Sequence, residues 1–389
     1  MRIVKLFVMV AAAVLITGYV LFRLIAPSVV DRKMNTIVLA PPYKVSAAAS
    51  DLYSDLDFVA DLHCDALLWD RDLTDKHSYG HVDFPRMKEA NVALQAFTIV
   101  TKTPKNMNFE ANGSDTDNIT LLSLAQGRPV FNLLKRALVQ SGYLYSLARA
   151  SGGQFRVITS SADLQKFIDD REHDKSLSAG FLGIEGAHAL EGELANVDKL
   201  FEAGVRMIGP VHFFDNELGG SAHGIKKGGL TAFGQKALKR MEQLGITIDV
   251  SHAAPALIDD ILAMATRPLI VSHTGVKGTC NNVRNLSDEH LKGIANGGGL
   301  VGIAMFEQAV CGSGAQATAE AIKYTADLIG VEHVALGSDF DGAVKTHFDV
   351  TGLPLIVDEL IDLGMSKEDI ALVMGGNVKQ FLLKNLPAE

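Results

Sequence analysis

Hydrophobic and polar positions divide the chain into two textures. From residue 51 onward, short runs rich in Val, Ile, Leu and Phe alternate with longer mixed segments. The runs lie at 57–65 (DFVADLHCD), 92–100 (VALQAFTIV), 180–188 (GFLGIEGAH) and 205–213 (VRMIGPVHF). Four more follow at 246–252 (ITIDVSH), 268–273 (PLIVSH), 300–306 (LVGIAMF) and 334–342 (VALGSDFDG). They are nearly continuous rather than alternating, as parallel strands buried on both faces are. Between most of them lie segments that read as helices, such as FGQKALKRMEQLG, APALIDDILAMATR and ATAEAIKYTADLIG. Eight strand–helix units predict an α/β fold, a closed (β/α)8 TIM-like barrel. The connection from the second to the third strand, residues 101–179, is long enough to predict an inserted helical segment at the barrel rim.

The other texture is at the N-terminus. A basic start, MRIVK, precedes an uncharged apolar stretch at 6–22. This predicts a signal anchor or a signal peptide with flanks over 1–33. Residues 34–50 then read as a tether, and 51–389 as the catalytic (β/α)8 domain.

Composition excludes some partners. The net charge is −9, which argues against nucleic acid. The three cysteines, Cys64, Cys280 and Cys311, are odd in number and form no C-x-x-C pair. Neither a disulfide framework nor a cysteine-based zinc site is expected.

Candidate chemistry gathers where the runs end. The first carries His63 and Asp65, two apart and so on one strand face. The third ends with Glu185, and the fourth run carries His212. The fifth ends in His252, the sixth in His273, and the eighth in Asp339 and Asp341. The C-terminal ends of barrel strands share one mouth, where catalytic groups belong. Nitrogen and oxygen ligands without sulfur suit zinc, and manganese, iron or cobalt less well. Three of these histidines with three of these carboxylates exceed what one catalytic zinc needs. Two metals sharing a carboxylate would use them all.

We therefore assign His63, Asp65 and Glu185 to one metal, and Glu185, His252 and His273 to the other. A hydroxide bridging two cations would attack a carbonyl. Asp339 would carry the proton to the leaving amine, and His212 would donate to the oxyanion. Asp341 fits a salt bridge or a loop cap as well as it fits a ligand. His188 reads as structural, and His77, His81, His223, His290, His333 and His347 as unrelated to metal. Trp69 fits a pocket wall or the core.

With these residues in place, the chain resembles the membrane dipeptidase (renal dipeptidase) family of the amidohydrolase superfamily. The resemblance covers roughly residues 51–385. It rests on HCD at 63–65, IEGAHAL at 184–190, HFFDN at 212–216, DVSHAA at 249–254, VSHTG at 271–275, VRNLSD at 283–288 and GSDFDG at 337–342.

The resemblance implies a barrel holding two Zn2+ ions, with Glu185 bridging them, and supports the roles given above. It adds Arg284 as the group that binds the substrate's C-terminal carboxylate, a bidentate task suited to a guanidinium. The expected activity is hydrolysis of free dipeptides, including ones with a D-residue at the C-terminal position. Cys64 stands where the family usually has Asn, and should point away from the metals. Phe201 stands where Tyr is common, and the 101–179 segment is expected to alter which dipeptides fit.

The expected location is a bacterial inner membrane with the catalytic domain periplasmic, or the periplasm if the signal is cleaved. The sequence allows a homodimer without dictating one. Two rivals remain. One is a dinuclear relative acting on a cyclic amide or lactone, disfavoured because the bridge is Glu185 rather than a modified Lys. The other is a non-catalytic anchored binding protein, disfavoured because Asp339 is retained beside every ligand.

Overall fold

A computed structural model describes residues 2–389. Eight parallel strands form the ring: β1 (Val59–Cys64), β2 (Val92–Val100), β3 (Ser178–Glu185), β4 (Val205–Ile208), β5 (Thr247–Ile248), β6 (Ile270–Thr274), β7 (Leu300–Ile303) and β8 (Val334–Leu336). Their hydrogen-bonded order is β5-β4-β3-β2-β1-β8-β7-β6. An Asp249–Ile270 bridge, with the Val250 amide donating to the Ile270 carbonyl at 2.9 Å, joins β5 to β6 and closes it. The expected TIM-like barrel is present.

Each strand is shorter than its apolar run, except β2. In β3, β4, β5, β7 and β8 the run continues past the C-terminal end of the strand, where the chain leaves the ladder. His252 and Asp339 adopt left-handed φ of 62° and 64°. That conformation is uncommon for non-glycine residues and concentrates at functional turns. Helices pack outside the ring. The C-terminal one, Asn377–Asn385, reaches β1 through Gly375, where a Cβ would meet the Phe58 carbonyl oxygen at 2.2 Å. Only glycine permits that approach.

Residues 101–179 hold helices Ile119–Gln126, Leu133–Ala150 and Ser161–His173, and a strand Phe155–Val157 that pairs with β3. The N-terminal helix, Arg2–Met34, is long and apolar enough to cross a membrane. Its last turns are attached to the barrel. Arg71 Nε lies 2.9 Å from Asp31 Oδ2, and Asn35 accepts from the Ala343 amide. Thr36–Ile37 pairs with Lys345–Thr346 beyond β8, and a further helix spans Ala47–Asp55.

One local expectation changes. Cys280 and Cys311 form a disulfide, leaving Cys64 free and buried. An odd count excludes a fully paired set and nothing more, and the loops after β6 and β7 are neighbours because their strands are. The Asn377 side-chain amide donates to the Val331 and Val334 carbonyls, tying its helix to β8. Ser366 caps the helix Lys367–Ala371, its hydroxyl accepting from the Asp369 amide at 3.1 Å.

Candidate metal centre

Glu185 is the last residue of β3, and the ring brings the other strand ends around its carboxylate. His252 Nε2 lies 2.8 Å and His273 Nε2 3.2 Å from Glu185 Oε1. His212 Nε2 lies 3.2 Å from Glu185 Oε2. On the other side, His63 Nε2 stands 3.8 Å from Glu185 Oε1, 3.5 Å from Asp65 Oδ1 and 3.9 Å from Asp339 Oδ1. Three overlapping sets could each hold an ion: His63, Glu185 and His273; Glu185, His212 and His252; His63, Asp65 and Asp339. The ring thus brings together seven of the eight residues read from the strand ends, Asp341 being the exception. The sets differ in detail from the expected pairing, since His273 also faces His63 and His212 joins His252.

The donor set fits divalent cations. His63 Nε2 is buried without a hydrogen-bond partner, and His252 Nε2 faces His273 Nε2 at 3.0 Å. Two ring nitrogens at that separation suit a shared electrophile better than each other.

Charge points the same way. Burial, reinforced by the nearby Asp65 carboxylate, pushes Glu185 well above the carboxylate range, and burial pushes Asp339 up to about 7. Burial opposes protonation of His63, yet Glu185, Asp65 and Asp339 outweigh it and push its imidazole up to about 10. Carboxylate charge is therefore in excess, and cations relieve that cost. Burial, Arg284 and neighbouring imidazoles hold His212, His252 and His273 well below the ordinary range, which keeps them neutral as ligands require.

A polar layer beneath the cluster sets ring orientation. The Ser272 hydroxyl donates to Asp249 Oδ2 at 2.6 Å and lies 2.9 Å from His63 Nδ1 and 3.0 Å from His273 Nδ1. With its proton committed to Asp249, the oxygen accepts from both Nδ1–H groups. Both Nε2 lone pairs then face the mouth. Asp61 does similar work under β8, accepting from the Ser338 amide and hydroxyl and from Gln95. The sequence reading missed this layer. Its signal was the i, i+2 pairs Asp61–His63 and Asp249–Ser251, which place a second carboxylate one pleat below the site.

Arg284 is buried beside the cluster, and its Nη2 donates to the His273 carbonyl at 2.8 Å. With Glu185, His212, His252, His273 and Asp339 it lines a cavity of about 210 Å3. Met107, Phe109, Phe213 and Phe306 supply the apolar walls. A larger cavity of about 310 Å3, at Trp69, Arg128 and Tyr143, does not reach the imidazoles.

Other residues fall outside the cluster. Asp341 is salt-bridged to Arg71 at 2.6 Å and accepts from the His81 and Val82 amides. Cys64 points toward Asp341 rather than Glu185. Trp69 is core, donating to the Asp341 carbonyl at 2.7 Å. His188 stacks on Phe214, and Phe201 packs under Arg206. His223 stacks on Phe213, and its Nδ1 lies 2.8 Å from the Phe109 carbonyl, so it holds the 101–118 loop against the mouth.

Comparison with known proteins identifies the family and the fold. Membrane dipeptidase (Peptidase family M19) matches residues 47–384. The dipeptidase aclJ of Aspergillus oryzae is 27% identical over 345 residues, 83% of this chain and 77% of that one. A Rhodobacter sphaeroides metallo peptidase, solved with a phosphinate mimic of the dipeptide L-Ala-D-Ala, superposes with a TM-score of 0.70 at 25% identity. It aligns with 85% of this chain over the whole of its own length. The probable dipeptidase PvdM of Pseudomonas aeruginosa shares the fold, with a TM-score of 0.73 at 21% identity over 89% of this chain and all of its own. The chain belongs to the membrane dipeptidase family and is a metallo-dipeptidase.

Proposed function

We propose that this protein is a zinc dipeptidase that cleaves free dipeptides, D-configured C-terminal residues included, while anchored to a membrane. The observation that carries this reading is Glu185 at the centre of four imidazoles, with Asp65 beside His63 and with Asp339 and Arg284 lining the same small cavity as Glu185. Two Zn2+ ions would be held by His63, Asp65, Glu185, His252 and His273. Bound there, they supply Lewis acidity toward a carbonyl and lower the pKa of water.

The chain's own residues do the rest. Arg284 pairs with the substrate carboxylate, so that cleavage leaves one residue beyond the scissile bond. Asp339, a buried carboxyl near neutral pKa, accepts a proton and passes it to the leaving amine. His212 donates a hydrogen bond to the charge that develops on the carbonyl oxygen. Met107, Phe109, Phe213 and Phe306 exclude water from the cavity.

Tolerance of a D-residue is supported by the dipeptide mimic held by the Rhodobacter sphaeroides relative. The domain reading keeps 1–33 as an anchor with flanks and 51–389 as the catalytic unit. Residues 34–50 connect them as a segment packed on the barrel. The proposed location is a bacterial inner membrane, with the catalytic unit periplasmic.

The test is a panel of L-Xaa–L-Xaa and L-Xaa–D-Xaa dipeptides and their C-terminal amides, run with the zinc-loaded full chain and with Asp339→Asn. Free dipeptides should turn over, amides should be cleaved far more slowly, and Asp339→Asn should keep its metal while losing orders of magnitude in rate. Turnover of amides as fast as free dipeptides, or of lactones in preference to both, overturns the reading.

A further inference from the structure

The barrel has two poles, and its exposed apolar side chains lie toward one of them. Outside the N-terminal helix, every exposed large apolar side chain among the described residues falls at 38–39, 107–143, 194 or 225. Residues 107–143 follow the C-terminal end of β2, Leu194 that of β3 and Ile225 that of β4. Residues 38–39 hydrogen-bond to Thr346 and His347 beyond β8. These segments therefore belong to the mouth side, apart from Leu138 and Tyr143, which lie on helix Leu133–Ala150 as it runs back toward the other pole. The loops leading into the N-terminal strand ends contribute none. Phe131 is 92% exposed, Ile225 68% and Leu121 65%, too open to be core packing. Large apolar groups gathered on one face mark an interaction surface.

The N-terminal helix reaches the same side. Its residue Arg23 donates to the Ala125 and Gln126 carbonyls at the end of helix Ile119–Gln126. Asp31 and Asn35 then bind Arg71 and the Ala343 amide, and Ala343 lines the metal-site cavity. The apolar length at 3–22 leads into this attachment, and its helix packs on helix Ile119–Gln126, which carries the exposed Leu121 and Leu124. Lys105 and Lys226 are exposed next to Met107 and Ile225, an arrangement suited to anionic headgroups.

We propose that the catalytic mouth rests on the bilayer, with Met107, Leu121, Phe131 and Ile225 inserted at the headgroup level as a second contact beside the helix. The proposal builds on the reading of residues 3–22 as a membrane anchor. It places the cavity entrance at the membrane surface, where it would meet dipeptides released there.

The test uses the full chain in phosphatidylcholine–phosphatidylglycerol vesicles. Phe131→Cys, Ile225→Cys and Asp57→Cys each carry an environment-sensitive dye; Asp57 lies just ahead of β1, at the opposite pole. Labelling is selective because Cys64 is buried and the other two cysteines are paired. Nitroxide placed near the lipid headgroups should quench positions 131 and 225 several-fold more than position 57. A chain that floats with the vesicles while all three dyes are quenched alike overturns the docked face and leaves the anchor standing. A chain that does not float overturns both.

Discussion

Arg71 Nη2 lies 2.6 Å from Asp341 Oδ2, while the same guanidinium's Nε meets Asp31 Oδ2 at 2.9 Å. One buried cation thus ties the end of the N-terminal helix to the loop that carries Asp339. Removing one partner of a buried ion group leaves an uncompensated charge, at a cost of about 3–5 kcal/mol. Asp31→Ala in the full chain should therefore lower the unfolding temperature by several degrees, read by calorimetry in detergent. A transition unmoved by that change would mean that the helix end is not integral to the domain.

Ser272 is placed to fix two ligand tautomers with one oxygen. Ser272→Ala should weaken zinc binding by roughly 10–100-fold, the usual loss for an orienting partner. Chelator competition measures it. Affinity equal to that of the wild type would show that the rings are oriented by other contacts.

Arg284→Met should raise KM for free dipeptides by about two orders of magnitude, as loss of a bidentate charged contact implies. Slow cleavage of dipeptide amides should be unchanged by the same substitution. Steady-state kinetics on the two substrate series separates a carboxylate-binding role from a loss of fold, which would lower both.

Acid should destabilise the protein before its carboxylates protonate in bulk. Burial holds His347 down to about 4 and His188 to about 3. An unfolded imidazole titrates near 6.5, so between those values the unfolded chain binds more protons and stability falls as pH falls. The slope is roughly 1.4 kcal/mol per pH unit for each such histidine. Above about pH 6.5 these groups contribute no slope. Unfolding temperature measured from pH 8 to 4.5 should be flat and then decline, less steeply in His347→Gln. A decline equally steep in that variant would remove His347 from the account.

The barrel was legible because eight apolar runs alternate with helical segments, and the cluster because six of those runs carry imidazoles or carboxylates near their ends. The layer below was not, since Asp61, Asp249 and Ser272 resemble ordinary strand polars until β1, β5, β6 and β8 are set side by side. The Cys280–Cys311 pair was hidden for the same reason: its proximity comes from the adjacency of β6 and β7, which the sequence separation conceals. The docking of residues 31–39 escaped notice because Asp31 and Asn35 read as solvated flanks. Their partners, Arg71 and Ala343, lie far along the chain. Residue type announced the chemistry, whereas contacts between distant segments depended on ring closure.

The central claim is that Glu185 holds two zinc ions together. Elemental analysis of the full chain, purified without chelators, tests it most directly beside Glu185→Gln. About two zinc equivalents per chain are expected for the wild type, with a marked loss of metal and of dipeptide hydrolysis in the variant. No transition metal in the wild type, or full retention of both equivalents in Glu185→Gln, would contradict it.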